Sequence, residues 1–492
     1  MSGLILSLDI GTSSTRALLY DIESGMRLPD SGHSIRHDPG LTPDGGATLN
    51  ADALVEEAVL CAARAAERAV GRTIQAVAVA TFWHSFVGVG HDGWARTPIL
   101  LWSDRRSAPQ IARLRQQFDA ASYTQRTGCP LHTSFVPGRL LWLKENDPAA
   151  FTESVRFLSP GEYLFARLFG MPRATCSISM ASGSGILHQA AAAWDRETLE
   201  ILGLGPEHFA PLGDDPVSGL LPGFRERLPQ LADIPWFPAV GDGACSNIGC
   251  GATTPSRLAL MIGTSGAFRV VSPATTPPTV PPGLWRYQTG PGRYLLGGAL
   301  SNGGIVWAWL KKTMALPDVS DDTLENAIAA LPPDGHGLTV LPFIAGERAP
   351  LWRDDLRATI HGLSVATRPV EIARAHLEAV AYRFARIRLA LKEVAPRGEI
   401  IGTGAGLLAS RIWAQIITDT LGEPLHLSSE EEASSRGAAL LAREALGYGS
   451  IETAPWSPVV TTLHPNPDHT ALYAAAADRQ EQLLLSLLPH ND

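Results

Sequence analysis

Asp9 and Asp242 are the carboxylates of this chain best placed for chemistry. Asp9 ends an apolar run, Leu4 to Leu8, just before the turn Gly11-Thr12-Ser13-Ser14, and Asp242 sits on the Gly-rich turn Gly241-Asp242-Gly243. A bare carboxylate at the end of a buried strand suffers desolvation unless it is paired or metal-bound. Magnesium suits such a place, because it keeps much of its water and takes one or two carboxylates plus phosphate oxygens; a simple turn cap is the alternative. Gly, Thr and Ser turns expose backbone N–H groups and short hydroxyls, which a polyphosphate needs where no lysine-bearing P-loop cradles it. A second such turn, Gly263-Thr264-Ser265-Gly266, lies in the other half of the chain. Two acids flanking two phosphate-type turns point to metal-assisted phosphoryl transfer, with one acid free to accept a hydroxyl proton.

The elements that must hold these residues are legible in outline. Leu4 to Ile10 reads as a buried strand and Thr15 to Tyr20 as its return, a hairpin with hydroxyls at its tip. Asp52 to Val70 has helical period with Asp52 as a cap, and Thr73 to Thr81 is a β-branched strand ending near Trp83-His84. Leu258 to Ile262, the second turn and Ala267 to Val271 repeat the opening pattern, and the tetrapeptide Ile-Gly-Thr-Ser of 10–13 recurs at 262–265, about half a chain later. Helices are predicted over Gly303–Leu310, Pro369–Leu391, Ser410–Leu421, Ser434–Leu446 and Thr470–Leu488, with a Pro-rich loop over Ser272–Gly283. Such alternation indicates α/β architecture in two halves of common design. The expected division is an N-terminal lobe 1–248, a C-terminal lobe 249–450, and a tail 451–492 with a terminal helix.

Composition sets the class. The 492 residues are 45% hydrophobic and 18% charged with a net charge of -9, which excludes general disorder and a dedicated nucleic-acid binder. Five cysteines without a CxxC pair suggest neither a disulfide framework nor a zinc ribbon. The apolar opening meets Asp9 too early for a signal peptide, and no window approaches a spanning helix, so a soluble cytoplasmic protein with no membrane partner is expected. The usual signatures of P-loop, Rossmann, zincin and α/β-hydrolase chemistry are absent from the sequence.

Asp9-Ile10-Gly11-Thr12-Ser13-Ser14-Thr15-Arg16, Gly241-Asp242-Gly243, Gly263-Thr264-Ser265-Gly266, the segment Leu341 to Pro350, and Gly402-Thr403-Gly404-Ala405 together resemble the FGGY carbohydrate kinases over roughly residues 4–447. Within them, Gly263 to Arg269, Ser301 to Val306 and Trp102 to Ser107 are most similar to the gluconokinase branch. The resemblance implies a duplicated ribonuclease-H-like (actin-type ATPase) α/β fold, with ATP and a sugar meeting in the cleft between two lobes. It implies Asp242 as general base, and Asp9 with Asp242 as holders of Mg2+. Thr12, Ser13 and Arg16 would line the phosphates from the first half and Gly263 and Thr264 from the second. Gly304 would approach the nucleotide, and Gly404 and Ala405 would lie against adenosine; Leu407-Leu408 stand where many relatives carry an Asn.

On the acceptor side, Trp83, His84 and the segment Leu131 to Ser134 occupy positions where the family contacts sugar. An aromatic face plus an imidazole suits a polyol. Arg269 could pair with the carboxylate of a sugar acid, or turn outward to solvent or to Glu347. Asp104, on a loop with Arg105 and Arg106, is a lesser acceptor-side candidate with a surface ion pair as its alternative; Glu347-Arg348 reads as a domain-bridging pair, and Glu430-Glu431-Glu432 as a solvated loop or helix N-terminal charge rather than a metal site. The expected activity is ATP-dependent phosphorylation of D-gluconate to 6-phosphogluconate; a xylulose, ketose or polyol kinase is the near alternative and an actin-type ATP-binding sensor the distant one. Relatives of this kind are commonly homodimers.

Overall fold

The computed structural model describes residues 3–314, 321–454 and 457–488. In the first half, β1 (Leu4–Ile10), β2 (Ser14–Asp21) and β3 (His33–Arg36) form an antiparallel meander. β1 also pairs in parallel with β4 (Ile74–Thr81), which pairs in parallel with β5 (Trp236–Gly241), so the sheet order is β5–β4–β1–β2–β3. Every residue of β1 is buried. A central strand covered on both faces reads as a continuous apolar run, which is why Leu4 to Ile10 was legible.

The second half repeats this plan. β6 (Arg257–Ile262), β7 (Gly266–Pro273) and β9 (Arg293–Leu300) pair antiparallel, with β10 (Glu399–Thr403) and β11 (Leu425–Ser428) added in parallel on the other side of β6; β8 (Trp285–Gly290) flanks β9. β12 (Val459–Leu463) pairs antiparallel with β11, so the segment after residue 450 supplies an edge strand of this sheet. The order β8–β9–β7–β6–β10–β11–β12 contains the third–second–first–fourth–fifth order of the first sheet. The duplication seen in the sequence is thus a duplication of topology.

Helices fill the faces. Leu4, Leu6, Leu8 and Ile10 of β1 pack toward α1 (Ala51–Ala66) and α2 (Pro160–Phe169). Ile5 faces the opposite side with Cys245 of α3 (Asp242–Gly249) and Ala438 and Ala439 of α7 (Ala433–Ala445). Asp9 shares the parity of Ile5, so its side chain belongs to this second face. α3 and α7 cross very closely: a Cβ on Gly437 would lie 1.8 Å from the Cys245 carbonyl oxygen, and one on Gly249 1.8 Å from that of Ala433. Ser7 Oγ donates to the Ser435 carbonyl at 2.7 Å, tying α7 to β1. α7 is therefore the element that brings the second half against the first sheet. α4 (Gly304–Thr313), α5 (Pro369–Leu391) and α6 (Arg411–Leu421) complete the second half, and α8 (Pro467–Leu487) packs on α5 and α6.

Two helix starts differ from expectation. α1 is capped by Asn50, whose Oδ1 accepts from the Ala53 N–H at 2.9 Å; Asp52 instead accepts from Tyr163 Oη at 2.6 Å and pairs with Arg167. α8 starts at Pro467 behind an Asn466 cap, earlier than its apolar period suggested. No helix among the described residues is long and apolar enough to cross a membrane.

Candidate active site

The two hairpin tips face each other across the cleft between the sheets. The first tip is closed by the Gly11 N–H donating to the Ser14 carbonyl at 2.9 Å, the second by the Gly263 N–H donating to Ser265 at 2.9 Å. Thr12 and Ser13 line concavities on both sides of the cleft floor, and Gly263 and Thr264 line the acceptor side. The helix α4 is seated on the second tip: the Gly304 N–H donates to the Gly263 carbonyl at 2.8 Å, and a Cβ on Gly304 would stand 2.5 Å from that oxygen. Gly404 follows β10 at φ 92°, where a Cβ would meet the Ile262 carbonyl at 2.4 Å. Ala405 begins the short helix that follows, Ala405–Leu408.

Asp9, Thr12, Ser13, Arg16, Asp242, Thr403 and Gly404 line one concavity of about 280 Å³ on the phosphate side. Burial pushes the Asp9 carboxyl up to about 7; Arg16 opposes the shift, and the charges of Asp242 and Glu432 add to it. Burial raises Asp242 as well, against the pull of Arg269 and a 2.7 Å hydrogen bond from the Gly243 N–H. Two desolvated carboxylates repelling one another around a shared space are a hard oxygen donor set, and a divalent cation there would relieve both. The residues present therefore fit the magnesium that the acids' sequence setting implied.

Asp242 opens equally into a larger cavity of about 530 Å³ on the acceptor side, which also takes in Trp83, His84, Ser134, Arg269, Tyr287 and Arg348. Trp83 and Tyr287 make an aromatic wall, with ring centroids 4.9 Å apart, and Tyr287 stacks on Trp285 at 4.0 Å. His84 stands at φ 67°, a conformation that costs a non-glycine residue about 1 kcal/mol or more. It is held there by Arg139, fully buried, which donates to the carbonyls of His84, Leu100, Leu101 and Ser134 and so fastens three acceptor-side loops together. Burial lowers the His84 imidazole to about 3, so it is neutral; Nδ1 bonds the Gly183 carbonyl, which leaves Nε2 as an acceptor.

Ser134 does not reach the cavity as a free hydroxyl. Its Oγ lies 3.1 Å from His132 Nδ1, while His132 Nε2 meets Asp354 Oδ1 at 3.0 Å and Thr133 Oγ1 donates to Asp354 Oδ2 at 2.6 Å. Burial opposes ionisation of Asp354, and His132, Thr133 and Arg105 outweigh it. The segment 131–135 is thus latched to residues of the second half.

Arg269 points neither to solvent nor to Glu347. Its guanidinium packs over the start of α3, with Nη1 3.4 Å from the Gly243 carbonyl and Nε unpartnered. Arg348 is beside it: Nη2 donates to the Leu300 carbonyl at 2.9 Å, Nε is unpartnered, and the guanidinium lies 4.7 Å above the Trp102 ring. Burial, with a contribution from the Arg269 charge, lowers Arg348 to about 10. Neither arginine has an ion-pair partner among the described residues.

Three sequence expectations are corrected here. Glu347 is not paired with Arg348; it is buried against Arg383 at 2.6 Å, and Arg348 is left to the cavity. Asp104 is fully buried, not a surface pair: it takes Arg106 at 2.6 Å and the Ala47 N–H at 3.1 Å, and so shapes the loop carrying Trp102 and Arg105. Of the two readings of the acid run, the helix-start one holds for Glu432, which immediately precedes α7, and the solvated one does not, since its carboxylate meets Arg16 at 2.6 Å. Arg139, Tyr287 and Asp354 were missed, and Arg348 was read only as a partner of Glu347, because each gains its meaning only from partners far away in sequence.

Taken together, a duplicated α/β fold with two phosphate-type tips and buried acids across a cleft defines an actin-type ATPase architecture. The N-terminal domain of the FGGY family of carbohydrate kinases matches residues 4–249 and its C-terminal domain residues 258–446. The chain belongs to the FGGY family of carbohydrate kinases, enzymes that use ATP to phosphorylate small sugars. It is 28% identical over 467 residues to a gluconokinase of Bacillus subtilis, covering 91% of this chain and 88% of the relative. Among solved structures, it superposes on a gluconate kinase from Lactobacillus acidophilus with a TM-score of 0.91 at 25% identity, covering 99% of this chain and 98% of the other. A ligand-bound xylulose kinase from the same organism gives the same TM-score of 0.91, 25% identity, and 99% and 98% coverage.

Proposed function

We propose that the protein transfers the γ-phosphoryl group of ATP to a hydroxyl of a sugar acid, with D-gluconate giving 6-phosphogluconate. The observation that supports an acid acceptor is the pair Arg269 and Arg348: two neighbouring buried guanidiniums that open into the acceptor cavity and make no ion-pair contact with a described carboxylate, Asp242 acting on Arg269 only as a more distant counter-charge. Buried cations are retained where a counter-charge arrives, and a planar carboxylate meets a guanidinium bidentately.

In this reading the acceptor lies along the Trp83–Tyr287 wall, with a hydroxyl at His84 Nε2 and the reacting hydroxyl at Asp242. Asp242 takes the hydroxyl proton as the oxygen forms its bond to γ-phosphorus and the bond from γ-phosphorus to the β–γ bridging oxygen breaks, releasing ADP. Thr12, Ser13 and Arg16 from one tip and Gly263 and Thr264 from the other hold the phosphates in line; Gly304 and Gly404 let backbone come close, with Ala405 toward adenosine. Asp9 and Asp242 would hold magnesium, which supplies charge neutralisation on the phosphates. The lobe division 1–248 and 249–450 belongs to the same reading, with the catalytic acid at the junction.

The likeness to xylulose kinase favours one second reading, a ketose or polyol as acceptor. An ADP-release assay over aldonates, ketoses and polyols separates them. D-gluconate is expected to give the highest kcat/KM, by about tenfold or more, because a neutral acceptor leaves the buried guanidiniums unpaired. A preference for D-xylulose or glycerol would favour the second reading, and ATP binding with no turnover on any acceptor would favour a sensor.

A further inference from the structure

Arg16 is held on three sides. Nη2 donates to Ser14 Oγ at 2.8 Å, Nε lies 4.0 Å from Asp9 Oδ2, and Nη1 lies 2.6 Å from Glu432 Oε2. The first two partners belong to the same hairpin as Arg16; Glu432 comes from the other half of the chain, immediately before α7. Its loop is braced internally, with the Glu432 N–H donating to Glu430 Oε1 at 3.2 Å and Glu430 facing Arg436 at 3.6 Å. The carboxylate is therefore presented to Arg16 from an element fixed on the first sheet. Arg16 and Glu432, with Ser13 and Ser14, also line a second groove of about 650 Å³, so the ion pair is shared between that groove and the phosphate-side concavity.

A guanidinium at a phosphate turn cannot serve a carboxylate and a triphosphate with the same nitrogens. We propose that Glu432 is a positioning residue acting through Arg16: its carboxylate occupies the guanidinium as an internal stand-in for phosphate, and the triphosphate of ATP must displace it. This rests on Arg16 being a phosphate contact. The pair sets a threshold at the site: a polyanion that engages both hairpin tips displaces Glu432, and a lone small anion does not.

The test uses the full-length enzyme and the variant Glu432→Gln, which keeps shape and loses charge. Metal-free ATP and pyrophosphate, measured by titration calorimetry, are both expected to bind about fivefold more tightly, the worth of a partly exposed ion pair at its upper end. The KM for the sugar is expected to be unchanged, and Glu432→Asp is expected to restore the original affinity. In an Arg16→Ala background the same substitution is expected to change nothing. Unchanged or weaker ATP binding in Glu432→Gln, or an equal gain without Arg16, overturns the inference. If Arg16→Ala alone leaves ATP affinity intact, the phosphate role of Arg16 falls, and the inference with it.

Discussion

Asp242→Asn is expected to lower kcat by about 10²–10⁴-fold while ATP affinity stays near that of the unaltered enzyme. A sugar hydroxyl is a poor nucleophile near neutral pH, and an amide of the same shape cannot take its proton. The position of Asp242 explains why a single acid carries this weight. It is the first residue of α3, on a helix whose close crossing with α7 leaves it no freedom to drift, and it faces both the phosphate side and the acceptor cavity. Burial raises its carboxyl, so the proton-accepting form is lost as pH falls through a value above the ordinary 3.8. Before magnesium binds, the acid limb of kcat/KM should accordingly be displaced upward from the ordinary carboxylate value, and magnesium on the two acids should draw it back down. Asp9 and Asp242 repel each other, so that limb belongs to the pair, and the residual activity of Asp242→Asn should have its limb at lower pH. Steady-state kinetics between pH 5 and 9 checks both statements; undiminished turnover would refute the assignment.

The second large effect is one of discrimination. Arg269→Ala is expected to cost about 30-fold or more in kcat/KM for D-gluconate, the usual consequence of truncating one partner of a buried charge pair. Activity on D-xylulose should fall much less, because a neutral acceptor loses only the pull of Arg269 on the Asp242 carboxyl and no pairing of its own. Arg269→Lys should recover only part of the loss, since an ammonium is a point charge without the planar fork. Equal losses on acid and neutral acceptors would instead assign Arg269 to holding the start of α3, through its contact with the Gly243 carbonyl.

How much of this was legible follows from how local each signal is. The hairpin Leu4 to Tyr20 and its repeat at 257–273 were readable because a central strand is a continuous apolar run and a Gly-Thr-Ser turn is made by adjacent residues. Helix α5 was read to the residue, since Pro369 opens it and its apolar period is unbroken to Leu391. Asn50 and Asn466 were passed over as caps because apolar periodicity locates the body of a helix better than its first turn. The acceptor cavity was only half legible. Trp83, His84 and Arg269 lie near motif residues, but Arg139, Tyr287, Arg348 and Asp354 act through partners that only the folded cleft brings together. Glu432 was read as a solvated or helix-start acid, and its pairing was not foreseen for the same reason: nothing near it in sequence announces Arg16.

The most direct measurement is a crystal structure with a non-hydrolysable ATP analogue and D-gluconate bound together. The account predicts the phosphates between the two hairpin tips, the sugar carboxylate against Arg269 and Arg348, and the terminal hydroxyl within hydrogen-bond reach of Asp242. A carboxylate turned to solvent, or a terminal hydroxyl held away from Asp242, would contradict it.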